Sequence, residues 1–192
     1  MRRLLVCGFG PFPEAPDNPS ALAVARLKAE AWSPPGAQAV FAVLPTVWDK
    51  AAEVAVQAAR ASGSDGVLLT GVAVHASAFR VETQARNRAS RTHPDAEGRF
   101  WPGETIDPQG ASIRTVTAPA QAMCEALTAL SLAAALSADA GDYLCNFTLY
   151  RMLGLVPDTA FLHVPPTGEQ FGLDEIAAGI RAAAATFAAQ RS

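Results

Sequence analysis

Gly66-Val67-Leu68-Leu69-Thr70-Gly71 is a short, almost uninterrupted apolar run closed by glycine at both ends. A strand that is apolar on both faces belongs inside a parallel sheet covered by helices on both sides. The neighbouring segments extend this reading. Residues 48–61, rich in Ala and Val, predict a helix that Ser62-Gly63-Ser64 ends. Before it, residues 38–45 read as a strand, and Ser33-Pro34-Pro35-Gly36 as a turn. Asn18 is a good N-cap and Pro19 suits the first helical position, so a helix is expected from there to about Trp32. Residues 3–7 form an opening strand that runs into the Pro- and Gly-rich loop 8–16. After Gly71 the chain changes character. Residues 72–117 are polar and Arg-rich, with a possible strand at 77–83 and a long loop over 87–110. Order returns with a helix at 120–130, a strand at 133–137, a helix that includes Cys145, a strand at 159–164 and a final helix at 173–190. Strands alternating with helices predict an α/β fold, a three-layer α/β/α sandwich around a mostly parallel twisted sheet, as a single domain over 1–192.

Composition narrows the function. The chain has 192 residues, of which 50% are hydrophobic and 17% charged, enough to build its own core. A net charge of −3 offers no basic face for nucleic acid. No apolar run approaches the roughly 18 residues of a membrane span, and the N-terminus lacks the long apolar stretch of a signal peptide. The three cysteines are odd in number and widely spaced, which predicts neither disulfides nor a metal site and indicates a reducing, cytoplasmic setting. Gly8-Phe9-Gly10 lacks the third glycine of a nucleotide loop.

In sheets of this kind, sites form beyond the carboxyl ends of the strands. Cys145 is expected in the first turn of its helix, where free N–H groups and the helix dipole favour a thiolate. His163 lies in the strand Thr159-Ala160-Phe161-Leu162-His163-Val164, and Cys with His is a nucleophile–base combination. The competing account makes Cys145 a small buried hydrophobe. Glu82, Asp142, Asp95 and Glu169 are candidates to orient the imidazole. Asp142 also fits as a helix N-cap, and a salt bridge to Arg80 or Arg86 is the plainer account of Glu82. His75 and His93 are secondary candidates for direct chemistry. Phe9 and Phe12 offer either core packing or an apolar slot for a small flat ring, and are expected to be at least partly buried in both cases.

These segments together resemble the pyroglutamyl peptidase I family of cysteine peptidases. The resemblance is carried by Gly8-Phe9-Gly10-Pro11-Phe12 with Asn18-Pro19-Ser20, Leu44-Pro45, Gly71-x-Ala73, Val81-Glu82 with Ala85 and Asn87, and Pro94-Asp95-x-x-Gly98. Ser137-x-x-Ala140-Gly141-x-Tyr143-x-Cys145-Asn146 and His163-Val164-Pro165 with Glu169-Gln170 complete it. It implies an α/β/α sandwich, a triad of Cys145, His163 and Glu82, and removal of N-terminal pyroglutamyl from a small peptide through an acyl-enzyme. Phe9 and Phe12 would flank the ring, with Asn18, Val72 and Asn146 as further substrate contacts. It also implies no metal or cofactor and assembly often as a tetramer; with the composition, this leaves a small peptide as the expected partner, no membrane or nucleic acid, and a possible homo-oligomer, dimer or tetramer. The chain departs from the family pattern over Val72–Ala76, where a Gln and an Arg are replaced, and at Thr83, Thr92 and Phe147. A thiol amidase of different acyl preference, or a retired member that binds without turnover, therefore stands beside the first reading.

Overall fold

In the computed structural model, which describes residues 1–190, the chain runs β1 (Arg2–Phe9), α1 (Pro19–Ala29), β2 (Ala37–Leu44), α2 (Lys50–Ser62), β3 (Gly66–Val72), β4 (Phe79–Glu82), β5 (Gln84–Arg86), β6 (Ile113–Thr115), α3 (Ala120–Ala129), β7 (Ala134–Ser137), α4 (Leu144–Leu155), β8 (Thr159–Val164) and α5 (Leu173–Ala189). Arg191 and Ser192, the last residues of the expected domain span, lie outside the described residues. The main sheet has six strands in the order β2-β1-β3-β8-β4-β7. All neighbours are parallel except β4 and β8.

Alternation along the central strands sorts the core into two layers. Leu4, Val6, Leu68, Leu162 and Val164 pack with α1, α3 and α5 on one face. Leu5, Cys7, Val67, Leu69 and Phe161 pack with α2 and α4 on the other. All seven residues of β3 are buried, as its composition requires. The fold is thus the expected three-layer α/β sandwich. Among the described residues no helix is long and apolar enough to cross a membrane.

Asn18 caps α1 as expected, accepting from the Ser20 N–H at 3.1 Å with Pro19 next in the helix. That helix stops at Ala29 rather than near Trp32. Ala31 turns to φ +49°, and the Trp32 N–H reaches back to the Leu27 carbonyl at 3.0 Å, a left-handed turn that closes the last carbonyls.

The segment 87–110 carries no helix or strand, yet it is stitched down. The Asn87 side chain accepts from the Ile106 and Asp107 N–H groups, both at 2.9 Å, and donates to the Asp107 carbonyl at 2.6 Å. Asp95, 2% exposed, accepts from the backbone of Trp48, Glu97 and Arg99. Asn146 ties α4 to this region: its Oδ1 accepts from the Arg86 N–H at 2.8 Å, and its Nδ2 donates to the carbonyls of Arg86 and Arg88, each at 2.8 Å. Replacing Asn146 with Ala leaves these partly buried backbone groups without their partner, and its urea midpoint should report a loss of about 2 kcal/mol.

Candidate active site

The site is built at the carboxyl ends of β3 and β8. His163 is 3% exposed and Glu82 fully buried, and His163 Nδ1 lies 2.7 Å from Glu82 Oε1. The pair spans the antiparallel join, where Arg80 faces His163 and Glu82 faces Phe161 one pleat deeper. With a carboxylate on Nδ1, that nitrogen carries the proton and Nε2 keeps its lone pair. The imidazole lines a cavity of about 430 Å³ shared with Cys145, Arg80, Val72, Phe12 and Tyr143.

Cys145 is the second residue of α4, after Tyr143 as N-cap. Its sulfur rests on Gly71, which pairs with His163 across β3 and β8. A Cβ built on Gly71 would stand 2.7 Å from Sγ, so only glycine leaves room for the thiol there. The half-buried thiol is pushed up to about 12, first by burial and then by the Glu82 charge, with Arg80 opposing. The thiolate expected at a helix start is therefore not the resting form: burial and the Glu82 charge favour the protonated sulfur.

Behind Cys145 lies a small slot of about 30 Å³ lined by Phe9, Phe12, Asn18, Thr46, Val72 and Tyr143. Asn18 Nδ2 and Thr46 Oγ1 both donate to the Gly10 carbonyl, at 3.1 and 3.0 Å. Thr46 thereby spends its hydroxyl hydrogen, and Asn18 one of its two amide hydrogens, on the loop that holds Phe9 and Phe12.

The sequence candidates divide accordingly. Cys145, His163, Phe12 and Val72 line the large cavity, and Phe9 and Asn18 the small one. Asn146, expected at the substrate, lines neither; it is fully buried and engaged with backbone. Asp95 organises its loop, Glu169 is exposed, and Asp142 is not the cap of α4. Arg80 Nε stands 3.7 Å from Glu82, farther than His163, and Arg86 pairs with Asp139 instead. His75 and His93 sit on the cavity wall, where His93 Nδ1 meets Ser90 Oγ at 2.9 Å. Sequence reasoning missed the parts played here by Gly71 and Tyr143. A glycine closing an apolar strand was the available signal for close approach; for Tyr143 the signal was its place in the motif that ends in Cys145-Asn146.

An α/β sandwich that sets a thiol at a helix start beside a buried imidazole–carboxylate pair has the architecture of a cysteine hydrolase. The comparisons with known proteins narrow this class. A family profile described as Pyroglutamyl peptidase matches residues 2–186, and the chain belongs to that family of cysteine-type exopeptidases. It is 34% identical over 174 residues to a pyrrolidone-carboxylate peptidase of Streptococcus suis, covering 88% of this chain and 80% of the relative. A Streptococcus pyogenes pyrrolidone-carboxylate peptidase is 31% identical over 196 residues, with 94% and 90% covered. The crystal structure of Bacillus amyloliquefaciens pyroglutamyl peptidase I superposes with a TM-score of 0.90 at 29% identity, covering 99% of this chain and 98% of that one.

Two outcomes follow. Gly71→Ala should fold but lose about a hundredfold in turnover and in alkylation of Cys145, because displacing a reacting atom by about 1 Å carries that cost. The second concerns alkali. Unfolded, the Cys145 thiol returns to its ordinary 9.0; folded, it stands near 12. The stability gained by holding it neutral is complete below pH 9 and is lost as pH rises from there toward 12. Fully buried Cys7 is raised in the same sense. The urea midpoint should fall above about pH 9, and less steeply in Cys145→Ala.

Proposed function

We propose that this chain releases an N-terminal pyroglutamyl residue from peptides by thiol attack, with Cys145 as nucleophile, His163 as base and then acid, and Glu82 as the group that orients the imidazole. The observation that carries this reading is the 2.7 Å contact of His163 Nδ1 with buried Glu82, set on the wall of the cavity that also holds Cys145. Phe12 and Val72 on the large cavity wall, backed by Phe9, offer the lactam ring an apolar surface. Asn18 acts at one remove by holding the loop, and Asn146 by anchoring α4.

His163 Nε2 takes the thiol proton as Sγ bonds to the pyroglutamyl carbonyl carbon. Glu82 stabilises the imidazolium that forms, without itself taking the proton. The oxyanion is received by backbone N–H groups in the first turn of α4, which the helix leaves unpaired. The imidazolium then protonates the leaving nitrogen, the C–N bond breaks, and a thioester remains. Water, giving its proton to His163, attacks the thioester carbonyl; the C–S bond breaks and pyroglutamic acid and the thiol are restored. No step calls for a metal or cofactor. Cytoplasmic action, supported by three free cysteines, and self-association as a dimer or tetramer belong to the same reading.

Hydrolysis of a pyroglutamyl fluorogenic amide tests it. Wild type should turn over, Cys145→Ala should show none, and Glu82→Gln should lose about 10²- to 10⁴-fold in kcat. An inactive wild type whose Cys145 still alkylates would shift the reading to another acyl group at Val72. An inert Cys145 without turnover would mark a retired enzyme.

A further inference from the structure

Arg80 is not needed for the steps above, yet it stands on the cavity wall with Cys145 and His163. It faces His163 directly across β4 and β8, so its side chain leaves the sheet on the same face. The side chain is 38% exposed, and its nearest anion is Glu82 Oε1 at 3.7 Å, an oxygen already held by His163 at 2.7 Å. Its Nε is buried with no hydrogen-bond partner among the described residues. Most other arginines of the chain are engaged: Arg86, Arg91, Arg99, Arg114 and Arg151 each pair with a carboxylate of their own. The other charged groups on the wall, Glu14 and Asp142, make no ion pair with Arg80 among the described residues. A guanidinium is a flat fork of donors that matches a carboxylate, and it gains most where water is partly excluded.

Arg80 lines the large cavity and not the small slot, and that cavity, about 430 Å³, has room for the part of the peptide beyond the scissile bond. A peptide blocked by pyroglutamate has no N-terminal cation, and the first anion every such dipeptide carries is its C-terminal carboxylate, one residue past the bond cut. We propose that Arg80 receives that carboxylate and makes this site selective for pyroglutamyl dipeptides over longer or amidated ones. The inference rests on the reading given under Proposed function.

The test compares kcat/KM for pyroglutamyl-alanine, pyroglutamyl-alanine amide and pyroglutamyl-glutamate α-amide, in wild type, Arg80→Gln and Arg80→Lys. Wild type should favour the free acid over its amide by about tenfold at low ionic strength, the scale of one charge-assisted hydrogen bond, and less as salt is added. In Arg80→Gln the ratio should fall close to one, and Arg80→Lys should keep part of it. A ratio cancels any effect of Arg80 on the Glu82–His163 pair, which acts on both peptides alike. If Arg80→Gln fails to fold, the Lys variant and the salt dependence still decide. A wild-type ratio near one, or a ratio unchanged by the substitutions, overturns the inference while leaving the peptidase reading in place. Preference for the glutamate amide alone overturns the C-terminal assignment. No turnover of any of the peptides, with the fluorogenic amide also intact, overturns the peptidase reading and this inference with it.

Discussion

A carboxylate with no exposure at all must have a lasting partner, and in this molecule the partner is His163. Much of the site's architecture is what that contact requires. The chain leaves β3 at its carboxyl end and crosses the end of β8 by the short segment 73–78 before entering β4. Entering from that end, β4 has to run against β8. The direction puts Arg80 at the level of the imidazole and Glu82 beneath it. A parallel β4 would reverse this order and leave the carboxylate at the mouth of the cavity, open to water.

The thiol is governed by the same burial. Two effects compete at Cys145: the positive end of α4 favours the anion, and loss of water opposes it. Burial is the largest cause of the raised thiol, and the nearby Glu82 charge adds to it, so the resting thiol keeps its proton. In the proposed function, attack depends on an imidazole within the same cavity that can accept the proton as the bond forms. The arrangement protects the sulfur from indiscriminate chemistry while leaving it competent once a carbonyl is in place.

Most of the sandwich was legible in the sequence because its central strands β3 and β8 are apolar on both faces and its helices are separated by Gly, Pro and Ser turns. Cys145 and His163 were legible as a residue pair; Glu82 was raised above a salt-bridge account chiefly by its motif. The rest depends on contacts distant in the chain. Nothing in Phe79-Arg80-Val81-Glu82 reveals an antiparallel neighbour. The β5–β6 ribbon has only three residues in each strand, too few for any period. Asn146 carries a motif position that suggests substrate, but its amide is consumed by the backbone of Arg86 and Arg88, partners that no spacing rule would name.

Under the proposed function, the apolar wall behind Cys145 has a consequence for what the site refuses. It is mostly aromatic and aliphatic, with no carboxylate, and the Thr46 hydroxyl hydrogen and one amide hydrogen of Asn18 are already given to Gly10. An ordinary peptide begins with an ammonium group, which would have to shed its water there and find no counter-charge, at a cost of several kcal/mol. A lactam carries no charge and loses little. Discrimination between blocked and free chain ends can therefore come from an ion the slot cannot solvate, and the aromatic rings need only exclude water to enforce it.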